Sequence, residues 1–232
     1  MKLRLAIVAV AIGSAVAAPA RAQVGYPPDR SPYFDLEFRQ ELTPFAGYFF
    51  ASEDPARVAP RSGPMVGARY DVRIGGPAQL TVRAVRVFSE RTPIDPTKPV
   101  GQRALGSQSW PLYAGDLSLS INLTGQKSFH RLVPVVNGGI GIASDFRGDE
   151  DIGGYSFGTS FAFLFGGGIR WVPGGRFQLR LDVGDYLYQV QYPDSYTVAT
   201  ETSPAVLKPS QGRSSWQHNA AITLGASYLF FR

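Results

Sequence analysis

Residues 113–123 read Tyr-Ala-Gly-Asp-Leu-Ser-Leu-Ser-Ile-Asn-Leu, and this stretch decides the fold. Tyr113, Leu117, Leu119, Ile121 and Leu123 hold one phase, with Gly115 among them. Asp116, Ser118, Ser120 and Asn122 hold the other. A period of two is the mark of a strand with unlike surroundings on its two faces.

The pattern repeats outward from there. In 157–172, Phe161, Phe163, Phe165, Ile169 and Trp171 oppose Ser160, Ala162, Gly166, Gly168 and Arg170. In 176–183, Phe177, Leu179, Leu181 and Val183 oppose Gln178, Arg180 and Asp182. Near the C-terminus, Ala220, Ile222, Leu224, Ala226, Tyr228 and Phe230 oppose Asn219, Ala221, Thr223, Gly225 and Ser227. In all, strands are predicted at 42–50, 63–74, 78–88, 110–123, 131–143, 157–172, 176–190 and 216–231. Some segments break the rule. Val85 and Val87 leave the phase of Leu80, Val82 and Ala84, and Phe45, Tyr48, Phe49 and Phe50 fill both faces of the first strand. Asp185 lands on the apolar phase, so a bulge near Gly184 is expected to turn it inward and Tyr186 and Tyr188 outward. Pro134 inside a strand is expected to lie below the paired region.

The connections hold 12, 3, 21, 7, 13, 3 and 25 residues, long and short in strict alternation. An up-and-down barrel with one plain and one elaborate end gives that alternation. At this point residues 41–232 resemble the small eight-stranded outer-membrane β-barrels, the OmpA/OmpX/OmpW-like class. The last residues, Gly225-Ala226-Ser227-Tyr228-Leu229-Phe230-Phe231-Arg232, resemble the assembly signal of such proteins through Gly225, Tyr228 and Phe230. Leu224, where a polar residue is usual, and the trailing Arg232 depart from it. The resemblance implies an all-β, eight-stranded antiparallel transmembrane barrel in the outer membrane of a Gram-negative-type bacterium. Porin-like proteins of this kind meet outer-membrane lipids, lipopolysaccharide and the barrel-assembly machinery.

Composition agrees with the class. The chain has 232 residues, 26 glycines, 18 prolines and no cysteine, so disulfides, thiolate metal sites and cysteine nucleophiles are excluded. Residues 1–22 have the form of a secretory signal. Lys2 and Arg4 precede the apolar run Leu5 to Ala18, and Ala20-Arg21-Ala22 closes it. The run is too short for a spanning helix, which needs about 20 residues. Its removal leaves 20 basic against 18 acidic residues, with no Lys/Arg cluster of the kind nucleic acid needs. Residues 23–40 read as a Pro-rich periplasmic leader, in which Tyr33 to Arg39 can order.

In hydrocarbon the apolar phase must face lipid and the polar phase the lumen. The lumen set is then Arg69, Asp71, Arg73, Arg83, Asp116, Arg170, Arg180 and Asp182. Eight strands leave room only for side chains, so these charges must pair and plug the barrel. Aromatic girdles are expected at both interfaces, with Trp110, Tyr113 and Trp216 outside and Trp171, Phe177, Tyr228 and Phe230 below.

Signals for chemistry are sparse. The glycines 138, 139, 141 and 166–168 have no phosphate-loop spacing and read as room beside bulky arginines. Of the two histidines, His130 falls in a short turn, and His218 with Ser214 or Ser215 is the one local Ser/His arrangement. The loop 144–156 carries Asp145, Asp149, Glu150 and Asp151, a solvated acidic tip or a weak Ca²⁺ or Mg²⁺ site. Arg147-Gly148-Asp149 spells an adhesion tripeptide too short to weigh, and Asn122-Leu123-Thr124 spells a glycosylation sequon that is discounted because it lies in a strand. The reading is a non-enzymatic protein with a structural or surface-interaction role through its outer loops and an unidentified extracellular ligand. It has no catalytic, cofactor or metal residues. A lipid A-modifying enzyme and a small transporter or channel stay open as alternatives.

Cleavage is expected between Ala22 and Gln23. The intact mass of membrane-extracted protein should lack residues 1–22; a chain that keeps Leu5 to Ala18 overturns the secretion argument.

Overall fold

Alternation over 10 to 17 residues makes each long segment a strand with one apolar face, stable only if that face is covered and its edges are paired. The computed structural model describes residues 31–200, 203–208 and 210–230, so the predicted signal segment, most of the predicted leader and the last two residues lie outside it. The long strands are β2 (Gln40–Phe50), β3 (Gly63–Gly75), β4 (Ala78–Val87), β7 (Leu112–Asn122), β9 (Leu132–Ser144), β10 (Thr159–Trp171), β11 (Phe177–Gln191) and β12 (Ser214–Phe230). Four short ones accompany them: β1 (Tyr33–Asp35), β5 (Glu90–Arg91), β6 (Gln108–Ser109) and β8 (Lys127–Phe129). Each long strand pairs antiparallel with the next, and β12 returns to β2 from Ala220↔Phe50 to Phe230↔Gln40. The ring is closed and has eight strands.

The exterior of this ring is apolar. Leu80, Val82, Leu117, Ile140, Phe163, Leu181 and Leu224 all project from it and are exposed. The segments that broke the pattern resolve without a change of phase. In β4 the outward series is Leu80, Val82, Ala84 and Arg86, while Val85 and Val87 point inward beside Met65 and Leu112. In β2, Phe45 and Phe49 point inward, and Tyr48 and Phe50 outward.

Two expectations are corrected. No bulge forms at Gly184. β11 keeps continuous register with β12 from Phe177↔Tyr228 to Gln191↔Ser214. Tyr186 and Tyr188 are therefore buried inside, and Asp185 stays on the outer face. The lumen is apolar at that height and accepts the tyrosine rings, while Asp185 finds His218 on the adjacent strand, Nδ1 to Oδ2 at 2.6 Å. The one register shift in the β3–β4 ladder lies instead between Arg73 and Gly75. Pro134 is likewise within a paired strand, opposite Ile169 of β10. It stands one residue past the end of the β7 ladder, where its carbonyl accepts the Leu123 amide at 2.9 Å. Its missing N–H thus falls where a neighbour has ended.

Lumen-facing glycines let the strands close on one another. A Cβ on Gly141 would stand 2.1 Å from the Gly115 carbonyl oxygen and 2.8 Å from the Asp116 Cα. Gly141→Val should therefore destabilise the barrel by about 1–3 kcal/mol or prevent closure. Heat-dependent gel mobility and urea unfolding in lipid vesicles measure this; unchanged unfolding would show that the wall has slack there.

Candidate functional site

The interior is built in three layers. The middle layer is polar, because β3, β4, β7, β10 and β11 bring their inward charges to one height. Arg69 donates from Nε to Asp71 Oδ2 at 2.9 Å and from Nη2 to Asp71 Oδ1 at 2.6 Å. The Thr81 hydroxyl donates to Asp71 Oδ1 at 2.5 Å and accepts from Arg69 at 3.1 Å. Asp182 accepts from Arg180 Nε at 2.7 Å and lies 3.7 Å from Arg69 Nη1. Arg83 and Asp116 stand 3.5 Å apart, and Ser118 donates to Asp116 at 2.5 Å. Arg69, Asp71, Arg170 and Arg180 are 3% exposed or less. Burial this deep is costly without compensating bonds, which Arg69 and Asp71 have in full; Arg180 is held through Nε alone, its Nη1 and Nη2 finding no hydrogen-bond partner among the described residues.

Arg170 anchors a second group in this layer. Its Nη2 donates to Glu41 and, at 2.9 Å, to Gln178 Oε1. Its Nη1 donates to Gln79 and Asn122, each at 3.3 Å. Glu41 was not among the sequence-derived lumen residues, although it is wholly buried. The aromatic crowding of 45–50 hid the phase of its strand; counting back in twos from Gly47 through Thr43 would have found it. Arg73 sits lower, half-buried, and donates to the Leu36 carbonyl at 2.8 Å.

The layer below is apolar and comes from the leader. β1 pairs with β8, Tyr33↔Phe129 to Asp35↔Lys127, and the chain then crosses the mouth of the barrel. Leu36 and Phe38 are buried against Val133, Val135 and Leu229. The Phe38 ring lies 4.7 Å from the Arg170 guanidinium carbon and 5.3 Å from that of Arg73. The contact extends the charged layer into an apolar floor.

The layer above is also apolar, and the long connections continue it. Phe49, Met65, Val87, Leu112, Leu164, Tyr186 and Tyr188 form one core with Val58, Tyr155, Tyr192, Tyr196 and Leu207 from the loops. The loops bind one another. Arg91 pairs with Asp151 at 3.1 Å and lies 4.0 Å from the Trp110 ring. The Tyr192 hydroxyl donates to Asp54 at 3.0 Å, the Ser195 hydroxyl to the Gly153 carbonyl at 2.6 Å and the Ser203 hydroxyl to the Lys98 carbonyl at 2.7 Å. Burial, and then the Asp54 carboxylate, hold the Tyr155 and Tyr192 phenols well above their ordinary pKa. Trp110 belongs to this cap, not to an exposed girdle: it is 7% exposed, with its Nε1 donating to Asp145 at 2.8 Å. Trp216, Trp171, Phe177 and Tyr228 do stand on the exterior near the strand ends.

The other candidate residues do not converge. His218 joins Asp185, whereas Ser214 accepts from Gln189 at 3.0 Å and Ser215 from Gln217 at 2.9 Å. His130 lies in the turn after β8, edge-on to Phe129. In the acidic loop, Asp145 turns to Trp110, and Asp151 to Arg91 and the amides of Gly153 and Tyr155. Among the described residues no group of three or more His, Asp and Glu is placed to hold a metal ion. Asn122 of the sequon is buried on Arg170, and Arg147 lies 4.2 Å from the Trp110 ring. In the C-terminal strand, Gly225 faces the lumen, while Tyr228 and Phe230 face outward with their rings 4.9 Å apart.

A closed eight-stranded ring with an apolar exterior and a polar layer inside is the fold of the small outer-membrane β-barrels. One solved structure shares that fold. The crystal structure of Neisserial surface protein A matches 82% of this chain and 97% of its own at 14% identity, with a TM-score of 0.50. The outer membrane protein OprG of Pseudomonas aeruginosa matches 84% and 98% at 11% identity, TM-score 0.48. The N-terminal β-barrel domain of Pseudomonas aeruginosa OprF matches 82% and 98% at 10% identity, TM-score 0.45. No protein-family model and no curated protein sequence matches the chain.

Removing Arg170 leaves Glu41 buried without its charge partner. Arg170→Met should cost about 3–5 kcal/mol in vesicle unfolding, and adding Glu41→Leu should restore much of it. Equal losses in the single and double variants would mean that the stranded Glu41 carboxylate is not the source of the cost.

Proposed function

We propose that the protein is a closed, non-enzymatic barrel of the outer membrane, reached after loss of residues 1–22, with a structural or surface-interaction role carried by the loop cap. The lumen is plugged. The observation that carries this reading is the order of layers inside the ring: apolar floor, paired charges, apolar roof. A conducting path would need continuous polar lining, and Leu36 and Phe38 at one mouth and the tyrosine-rich core at the other interrupt it. The cap resembles a small folded surface more than a set of free loops, which suits recognition of an extracellular ligand by a fixed shape. The barrel-assembly machinery and lipopolysaccharide are the partners this placement implies.

The chain has no cysteine, so single cysteines report its sidedness. Gly148→Cys, in the cap, should react with a membrane-impermeant maleimide on whole cells; Lys127→Cys, by the short turns, should react only after permeabilisation. In planar bilayers the intact barrel should give no steady current. The reverse labelling pattern would invert the topology, and a large steady conductance would overturn the plugged lumen.

A further inference from the structure

The short-turn mouth of the barrel holds a cavity of about 530 Å³. Residues 35–38 of the leader form one wall. The β10–β11 turn, residues 174–176, and the end of β12, residues 228–230, form the other. Leu36, Phe38, Val172 and Leu229 line it and pack together as one apolar group. Its charges are divided between the walls. Asp35 and Glu37 stand on the leader, and Asp35 has Lys127 at 3.6 Å. Arg176 stands on the turn and donates to the Tyr228 hydroxyl at 3.2 Å.

The described part of β12 stops at Phe230, itself a lining residue, and Phe231 and Arg232 come next in the sequence. Along β12 the buried side chains are Gln217, Asn219, Ala221, Ser227 and Leu229, every one of odd number. Phe231 continues that phase, about 7 Å of strand beyond Leu229. Arg232 adds a guanidinium beside a wall that carries two carboxylates.

We propose that Phe231 and Arg232 occupy this cavity and fasten the leader to the strand that closes the ring. The Phe231 ring joins Leu36, Phe38 and Val172, and removes apolar surface from water on the leader and the strand together. The Arg232 guanidinium pairs with the leader carboxylates, which its planar fork matches. Arg232, which departs from the assembly signal, thereby acquires a use. Both residues follow the strand that completes the barrel, so the leader seats fully only after β12 has met β2. The latch depends on the fold and not on what the cap recognises.

The test uses the full chain from Gln23 folded in lipid nanodiscs, with amide hydrogen exchange read by NMR. The Leu36 amide donates to the Gln126 carbonyl at 2.9 Å, so its exchange reports release of the leader. Phe231→Ala/Arg232→Ala should speed that exchange about tenfold or more, while the amides of β7 stay protected. Arg232→Glu alone should speed it about threefold, and adding Glu37→Arg should return it toward wild type. Unchanged Leu36 exchange in the double-alanine variant, with the heat-dependent gel shift of a closed barrel retained, overturns the latch and leaves the cavity to another occupant. Faster exchange that the reversed pair does not correct overturns the ionic contact and keeps the Phe231 contact. If the double-alanine variant fails to fold, Arg232→Glu and its reversal decide alone: no change in either overturns the proposal.

Discussion

Hydrocarbon offers no partner to a backbone amide or carbonyl, and each one left unpaired costs several kcal/mol. The ladder between β12 and β2 answers that constraint by joining the last strand to the first. Everything else follows from the ring it completes. A ring of eight strands has an inside just wide enough for side chains to fill and an outside that meets lipid. The two faces of each strand then need opposite chemistry, and a one-residue slip would exchange them. Gly47, Gly141 and their like are the cost of curling the wall so tightly: a single Cβ at either would run into the neighbouring strand.

Inside that ring, most of the charged side chains gather at one height, with Arg73 below it and the uncharged Asn219 and Gln217 above. Charge in a narrow lumen is expensive unless each group is matched, and matching is easiest where many strands contribute at once. Arg69, Asp71 and Asp182 come from two strands on different parts of the wall, and Arg170 reaches Glu41, Gln79 and Asn122 from three more. Sealing both sides of this layer with apolar groups lowers the local dielectric and strengthens every bond within it. The leader and the cap therefore belong to the same electrostatic arrangement as the barrel wall.

Most of the wall is legible in the alternation of single residues, because a period of two needs no knowledge of partners. Strands at 113–123 and 157–172 show this plainly. The misread positions are those where the partner matters. Asp185 looked misplaced on an apolar face until His218 stood beside it across the ladder. Val85 and Val87 looked out of phase because the lumen was taken as polar throughout, whereas its outer third is a core. Glu41 was lost among aromatic neighbours. Leu36 and Phe38 precede the first long strand, where no periodicity announces a buried role, and the loops fold by contacts between segments a hundred residues apart, such as Ser203 with Lys98.

The leader also has a mechanical meaning. In the ring, β2 stands four strands from β9, on the opposite wall. The segment from β1 to β2 runs from β8, beside β9, back to the start of β2, so it spans the mouth as a crossbar. A tube of eight strands is softest in the mode that flattens its open rim into an oval. The crossbar ties the two walls that would separate in that mode, and the cap does the same at the other end. Lateral pressure from the bilayer then loads a tube braced at both rims, and the charged layer between them keeps the spacing its short hydrogen bonds require.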